Sequence, residues 1–244
     1  MCIVTSNRAI INFDIHMKWS FIISYLDGIY LEQIINSINN QNNLTKDKFE
    51  IILIGPNNEN LQKNKDKVNY NIIFEENIIP GWITMKKNLA VQNANYENVC
   101  IMHDYVALCE NWYIGYVQFG NDWDVCSNPI RTSRGNRYWD WITLKRPIEY
   151  ISYDDLSQTK TNMYIGGSYW CAKKKFMEQN PLDIQRVWGQ GEDIEWAERC
   201  RHKWNYRLNL FSVVKLLKDK EVIIPNPLTD PNPLETYKTI KIQE

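Results

Sequence analysis

Two stretches carry the side chains that could do chemistry. The first runs Asn98-Val-Cys-Ile-Met-His-Asp-Tyr-Val-Ala-Leu108, and its apolar run from Val99 to Met102 stops abruptly at His103, Asp104 and Tyr105. A run of that length without polar alternation predicts a strand buried on both faces. Its polar stop puts an imidazole and a carboxylate at the carboxyl end of the strand. In open α/β sheets that end faces the ligand crevice, because each strand there gives way to a loop that can carry polar groups without burying them unpaired. Asp104 is therefore the leading candidate to handle a metal ion or a phosphate. The second constellation combines Met163-Tyr-Ile-Gly-Gly-Ser-Tyr-Trp170 with Trp188-Gly-Gln-Gly-Glu-Asp-Ile-Glu-Trp196. Gly166 and Gly167 let backbone approach something closely, and Glu192-Asp193 opens a helix expected to run to about Trp204. Acids in a first turn complement the helix dipole. That role accounts for one carboxylate and leaves the glycines and tryptophans around it unexplained.

The remaining chain must position these groups. Trp19 to Tyr25 is a β-branched and aromatic run ended by Asp27-Gly28, which predicts the first strand. Leu31, Ile34, Ile35 and Ile38 then form the stripe of a helix laid on a sheet. Phe49 to Ile54, closed by Gly55-Pro-Asn-Asn58, and Ile72 to Phe74 predict two further strands, and Trp82 to Ala94 a helix that delivers the chain to Val99. Strands alternating with helices predict an α/β fold with a mixed, mostly parallel sheet flanked by helices. From Trp112 to Trp141 the texture is aromatic with few helical stripes. Such density favours core, and it is also what a cleft offers to the apolar faces of sugar rings.

At 244 residues the chain suits one domain with its own core. Its 28 Lys and Arg against 29 Asp and Glu give no net charge to attract nucleic acid. The six cysteines lack paired spacing, which predicts reduced thiols and a cytoplasmic protein, and no stretch reaches the length of a membrane span. Prolines at 225, 227, 231 and 233 predict an extended terminal arm.

Together these motifs resemble a glycosyltransferase of the GT-A fold, inverting and family-2-like, over about residues 19 to 204. The resemblance rests on the strand-turn at Ile22 to Gly28 with the second strand ending at Gly55 to Asn58; on Lys87-Asn88 before a strand ending in an acidic motif; and on Gly-Gly-x-x-Trp followed by Trp-Gly-x-Gly-Glu-Asp. It implies a single domain over 1–244, with a nucleotide-binding half at about 19–108, an acceptor-side half at about 109–204 and a C-terminal arm at 205–244. It implies that Asp193 is the general base and Glu192 binds acceptor hydroxyls, with Gly167, Trp170 and Trp188 on the acceptor side. Tyr25, Asp27, Asn57, Lys87, His103 and Asp104 would hold the donor, a nucleotide sugar such as a UDP-sugar, and Asp104 a divalent ion, Mn²⁺ or Mg²⁺. The acceptor would be a glycan.

The departure from that pattern is Met-His-Asp-Tyr where such families carry Asp-x-Asp. The literal Asp122-Trp-Asp124 precedes the strand-like Val125-Cys126 instead of following a strand, so position argues against it. His202, nine residues beyond Asp193, would sit about 13 Å along the helix and on its opposite face. Two other classes share part of the pattern. A nucleotidyltransferase would need a basic, glycine-rich loop after the first strand, and Ser24-Tyr-Leu-Asp-Gly28 has no Lys or Arg. A catalytically silent carbohydrate- or nucleotide-sugar-binding protein would explain the altered acidic motif and the aromatic density.

Overall fold

The computed structural model describes residues 17–75, 81–143 and 149–220. The first half alternates β1 (Trp19–Ser24), α1 (Leu31–Asn39), β2 (Phe49–Gly55), α2 (Glu59–Asn64), β3 (Tyr70–Ile73), α3 (Ile83–Asn93) and β4 (Asn98–His103). Then come β5 (Val106–Leu108), α4 (Trp112–Phe119), β6 (Val125–Ser127), β7 (Ile130–Arg131), β8 (Ile142–Thr143), β9 (Glu149–Tyr150), β10 (Met163–Tyr164) and β11 (Tyr169–Lys173). Helices α5 (Lys174–Gln179) and α6 (Glu192–Cys200) and strands β12 (Tyr206–Leu208) and β13 (Val214–Leu216) complete the order.

The main sheet has seven strands in the order β12-β6-β11-β4-β1-β2-β3, parallel from β4 to β3 and antiparallel where β11 joins β4 and β6. This is the mixed α/β architecture the sequence predicts. Every residue of β1, β2 and β4 is buried, so these runs show no alternation. Ser24 pairs with Ile54 on one side and His103 on the other. The three strands therefore end on one line, and the loops after β1 and β4 open on the same crevice. Because β11 is antiparallel and starts with Tyr169 opposite Met102, the Gly166 to Ser168 turn reaches that same edge. Two three-stranded sheets, β10-β8-β9 and β5-β13-β7, lie beyond it.

Three differences from the sequence reading have physical causes. Helix α4 occupies the aromatic stretch where no stripe was visible, because Trp112, Tyr113, Gly115 and Tyr116 are all buried and the helix is apolar all round. Residues 206–208 and 214–216, expected in a terminal arm, are strands: β12 extends the main sheet and β13 is the centre of a small one. At three residues each, they are too short to establish a period. The proline-rich residues 221–244 lie outside the described residues, as does His16. Helix α6 ends at Cys200, short of the expected Trp204, which is instead buried with its indole N–H donated to the Thr159 carbonyl at 3.0 Å.

The aromatic residues mostly build the core. Trp19 packs edge-on against Trp112 at 4.8 Å and Tyr116 at 4.7 Å, and a second cluster joins Trp170, Trp196, Trp204 and Tyr206. Cys100, Cys126, Cys171 and Cys200 are buried free thiols. Among the described residues no helix is long and apolar enough to cross a membrane.

Candidate active site

Two adjoining cavities lie at the carboxyl ends of β1 and β4. The first cavity, about 510 Å³, is lined by the loop Ser24 to Asp27, by Asp104, and by three lysines, Lys86, Lys218 and Lys220. That volume is within the range of small-molecule sites. Asp104 fixes its floor: Oδ2 accepts the backbone N–H groups of Leu26 at 3.1 Å and Gly28 at 3.3 Å, tying the loop after β1 to the end of β4. Asn58 caps α2 by accepting the Leu61 N–H and donates its amide to the carbonyls of Leu26 and Asp27, so a second side chain holds the same loop. Burial raises the Asp104 carboxyl above its ordinary range, the two backbone donors oppose that, and nearby Asp27 adds to it.

The second cavity is lined by Tyr138, Trp139, Tyr164, Gly166, Gly167, Glu192 and Asp193, and shares His103, Tyr105, Trp188 and Lys220 with the first. Asp193 is drawn in by the turn before β11: its Oδ2 accepts the Gly167 N–H at 2.8 Å, and its Oδ1 accepts the Ile194 N–H at 2.9 Å. A Cβ on Gly167 would lie 2.6 Å from Asp193 Oδ2, so this approach requires glycine. Gly191, at φ +66°, is the left-handed entry to α6 that turns the acid pair inward. Burial first, and then the charge of Glu192, push the Asp193 carboxyl up to about 6, while Lys87 and the two backbone donors hold it down. A carboxyl poised there can exchange a proton near neutral pH. Trp139, which packs against Gly166, also lines this cavity and has φ +46°, a conformation that costs a bulky residue about 1–3 kcal/mol.

Of the residues singled out from the sequence, Tyr25, Asp27 and Asp104 line the first cavity, Gly167, Glu192 and Asp193 the second, and His103 and Trp188 both. Three do not. Asn57 lies in a separate surface depression and accepts the Gln62 amide at 2.6 Å, so its neighbour Asn58 is the one that touches the β1 loop. Trp170 is fully buried against Trp196 with Lys87 over its ring, behind the wall it was expected to form. Lys87 is fully buried and lines neither cavity; Lys86 is the lysine of that helix lining the first. The buried face of α3 carries Thr84, Lys86, Lys87 and Asn88, while Met85 and Leu89 stand on its less buried face, so no apolar stripe sets its register in the sequence. Tyr25 has its hydroxyl donated to the Pro56 carbonyl at 2.7 Å, which makes its lining role one of shape.

Asp122 and Asp124 lie at the other end of the sheet, with Asp124 Oδ2 accepting the Asn205 N–H and its carbonyl accepting the Lys173 N–H. His202 is exposed just beyond α6 and lines neither cavity. Lys218 and Lys220 were missed because they follow β13 in the segment expected to be an arm. Tyr138 and Trp139 were visible only as members of the aromatic stretch.

No protein-family model matches the chain, and no curated protein matches it in sequence. Solved structures do match its fold. S. aureus TarS 1–349 in complex with UDP-GlcNAc superposes with a TM-score of 0.58 at 15% identity, covering 84% of this chain and 60% of that one. The longer S. aureus TarS gives 0.59 at 17% identity, with 93% and 40% covered. GalNAc-T7 with UDP, GalNAc and Mn²⁺ gives 0.62 at 16% identity, with 86% and 46% covered. These are GT-A glycosyltransferases, and the chain has the GT-A fold. It spans from 40% to 60% of the length of these structures.

A divalent ion would have to be held largely by oxygen ligands. No group of three or more His, Cys, Asp or Glu suited to a metal occurs among the described residues. Asp104 and Asp27 do line the same cavity, and Mg²⁺-type sites commonly use one or two carboxylates together with the phosphates of the substrate. The residues present therefore fit an ion that enters with a diphosphate.

Proposed function

We propose that the protein transfers a sugar from a nucleoside-diphosphate sugar to a hydroxyl of a glycan acceptor, with inversion at the anomeric carbon. The observation that carries this reading is the junction of a lysine-lined cavity with a second one containing Asp193, on the GT-A fold. A two-substrate displacement needs the leaving group on one side and the base on the other. UDP-sugars are the first donors to test, because structures of that fold were solved with UDP-GlcNAc and with UDP.

On the donor side, the loop Ser24 to Asp27 would receive the nucleotide, and Lys86, Lys218 and Lys220 would face the diphosphate. Ammonium groups there oppose the negative charge that develops as the diphosphate departs. Asp104 and Asp27 would hold a divalent ion, which when bound supplies Lewis-acid stabilisation of the leaving group. On the acceptor side, Asp193 accepts the proton of the attacking hydroxyl. Glu192 lines the same wall and is placed to accept a hydrogen bond from an acceptor hydroxyl, while Tyr138, Trp139 and Trp188 offer ring faces to the sugar. Closure of the sugar between these walls excludes water from the carbon under attack.

The test is transfer by the parent protein and by Asp193→Asn across UDP-sugars and glycan acceptors, reading product configuration by NMR. An inverted product formed by the parent and lost in the variant supports the reading; a retained configuration contradicts the direct displacement.

A further inference from the structure

We propose that Lys87 is a positioning residue for this site, fixing through Gly167 and Glu192 both the orientation and the charge of Asp193. The inference rests on the reading of Asp193 as the base, and it concerns a residue that touches neither cavity. The Lys87 side chain is 0% exposed. Its Nζ donates to the Gly167 carbonyl at 2.9 Å, stands 3.9 Å from Glu192 Oε1, and lies 4.6 Å from the centre of the Trp170 ring. Gly167 is thus held at both ends, its carbonyl by Lys87 and its N–H by Asp193 Oδ2 at 2.8 Å.

Burying an ammonium costs several kcal/mol, and an apolar side chain of similar length would fill this space without that cost. What the cation adds is charge beside two adjacent acids. Two neighbouring carboxyls withdrawn from water resist ionising together, since each charge opposes the other. One ammonium next to the pair offsets part of their mutual repulsion and so favours the ionised form of Asp193, which is the form a base needs. Lys87 acts downward on the Asp193 carboxyl and Glu192 upward. Among the described residues, the other titratable groups lining the cavity are His103, Lys220 and the phenols Tyr105, Tyr138 and Tyr164. All five are unchanged in the variants below, so they cannot produce a difference between them.

The experiment is a carbon-13 NMR titration of the side-chain carboxyls in the parent, Lys87→Met, Lys87→Gln and Glu192→Gln. The Asp193 signal is assigned by its loss in Asp193→Asn. Both Lys87 variants should raise the Asp193 midpoint by about one unit or more, and Glu192→Gln should lower it. Lys87→Arg should restore it most of the way. In transfer assays the acid limb of the rate profile should move with the midpoint, with kcat reduced and donor KM nearly constant. A midpoint that stays put, or falls, in either foldable Lys87 variant overturns the proposal. Lys87→Gln keeps a donor for Gly167 without the charge, so it serves if Lys87→Met does not fold. The NMR readout needs no activity. A shifted Asp193 in a protein that transfers no sugar would leave the Lys87 coupling standing and remove the transferase reading instead.

Discussion

Asp193 is where stability and chemistry pull in opposite directions. A carboxyl whose folded value is raised from 3.8 to about 6 is stabilised in its protonated form. Its favourable contribution is complete below the unfolded value and is lost as pH rises through about 6, a difference of roughly 3 kcal/mol. Asp193→Asn, which does not titrate, should therefore gain on the parent in melting temperature as pH goes from 4 to 7. The same variant should lose about 10² to 10⁴ in turnover with donor affinity nearly unchanged. Parallel melting curves across that pH range would contradict the buried acid. Asp104 makes a separable case. Asp104→Asn keeps an acceptor for the β1 loop and should weaken UDP binding in calorimetry, with little change in melting. Asp104→Ala also frees the N–H groups of Leu26 and Gly28 and should cost about 1–3 kcal/mol in a denaturant titration. Unchanged UDP affinity in Asp104→Asn would remove this carboxylate from the donor site.

The turn before β11 and the start of α6 are the elements that assemble the cavity around Asp193, and Gly167 is their point of contact. Gly167→Ala places a methyl 2.6 Å from Asp193 Oδ2, so the carboxylate must move off the turn. We expect turnover to fall nearly as far as in Asp193→Asn while the far-ultraviolet spectrum stays parental. A Gly167→Ala protein with parental turnover would show that this contact does not position the base. The paired glycines and the Trp-Gly-x-Gly-Glu-Asp motif were legible because glycine at a close approach leaves a mark in the sequence. The buried strands β1, β2 and β4 were legible for a related reason, since unbroken apolar runs end where the crevice begins. The orientation of α3 was not legible, because its buried face carries Lys86, Lys87 and Asn88 and so shows no apolar stripe, and Lys87 and Lys86 exchange places on a rotation of about 100°. Helix α4 was hidden for a different reason, since it is apolar over nearly its whole surface. Strands as short as β12 and β13 hold their place by partners supplied from distant chain, which no local pattern records.

At the scale of the whole molecule, those late strands tie distant parts of the chain together. β12 pairs with β6, β13 sits between β5 and β7, and Lys218 and Lys220 follow β13 into the first cavity. A chain ended at Asn205 should lose cooperative thermal unfolding, since it uncovers the β6 edge and removes the centre of a sheet. A sharp parental melt in that truncation would contradict this role. Replacing Lys218 and Lys220 together by Gln should leave the melt intact, weaken UDP binding and flatten its dependence on salt.

The central claim is that the two cavities work as one site for sugar transfer. The most direct test measures UDP release from a panel of UDP-sugars with glycan acceptors, with product configuration read by NMR and Asp193→Asn run in parallel. Release and an inverted product are expected with at least one donor, and a rate about 10² or more lower in the variant. Saturable UDP-sugar binding with no release from any donor would mark a silent binding protein, and no UDP-sugar binding at all would contradict the account outright.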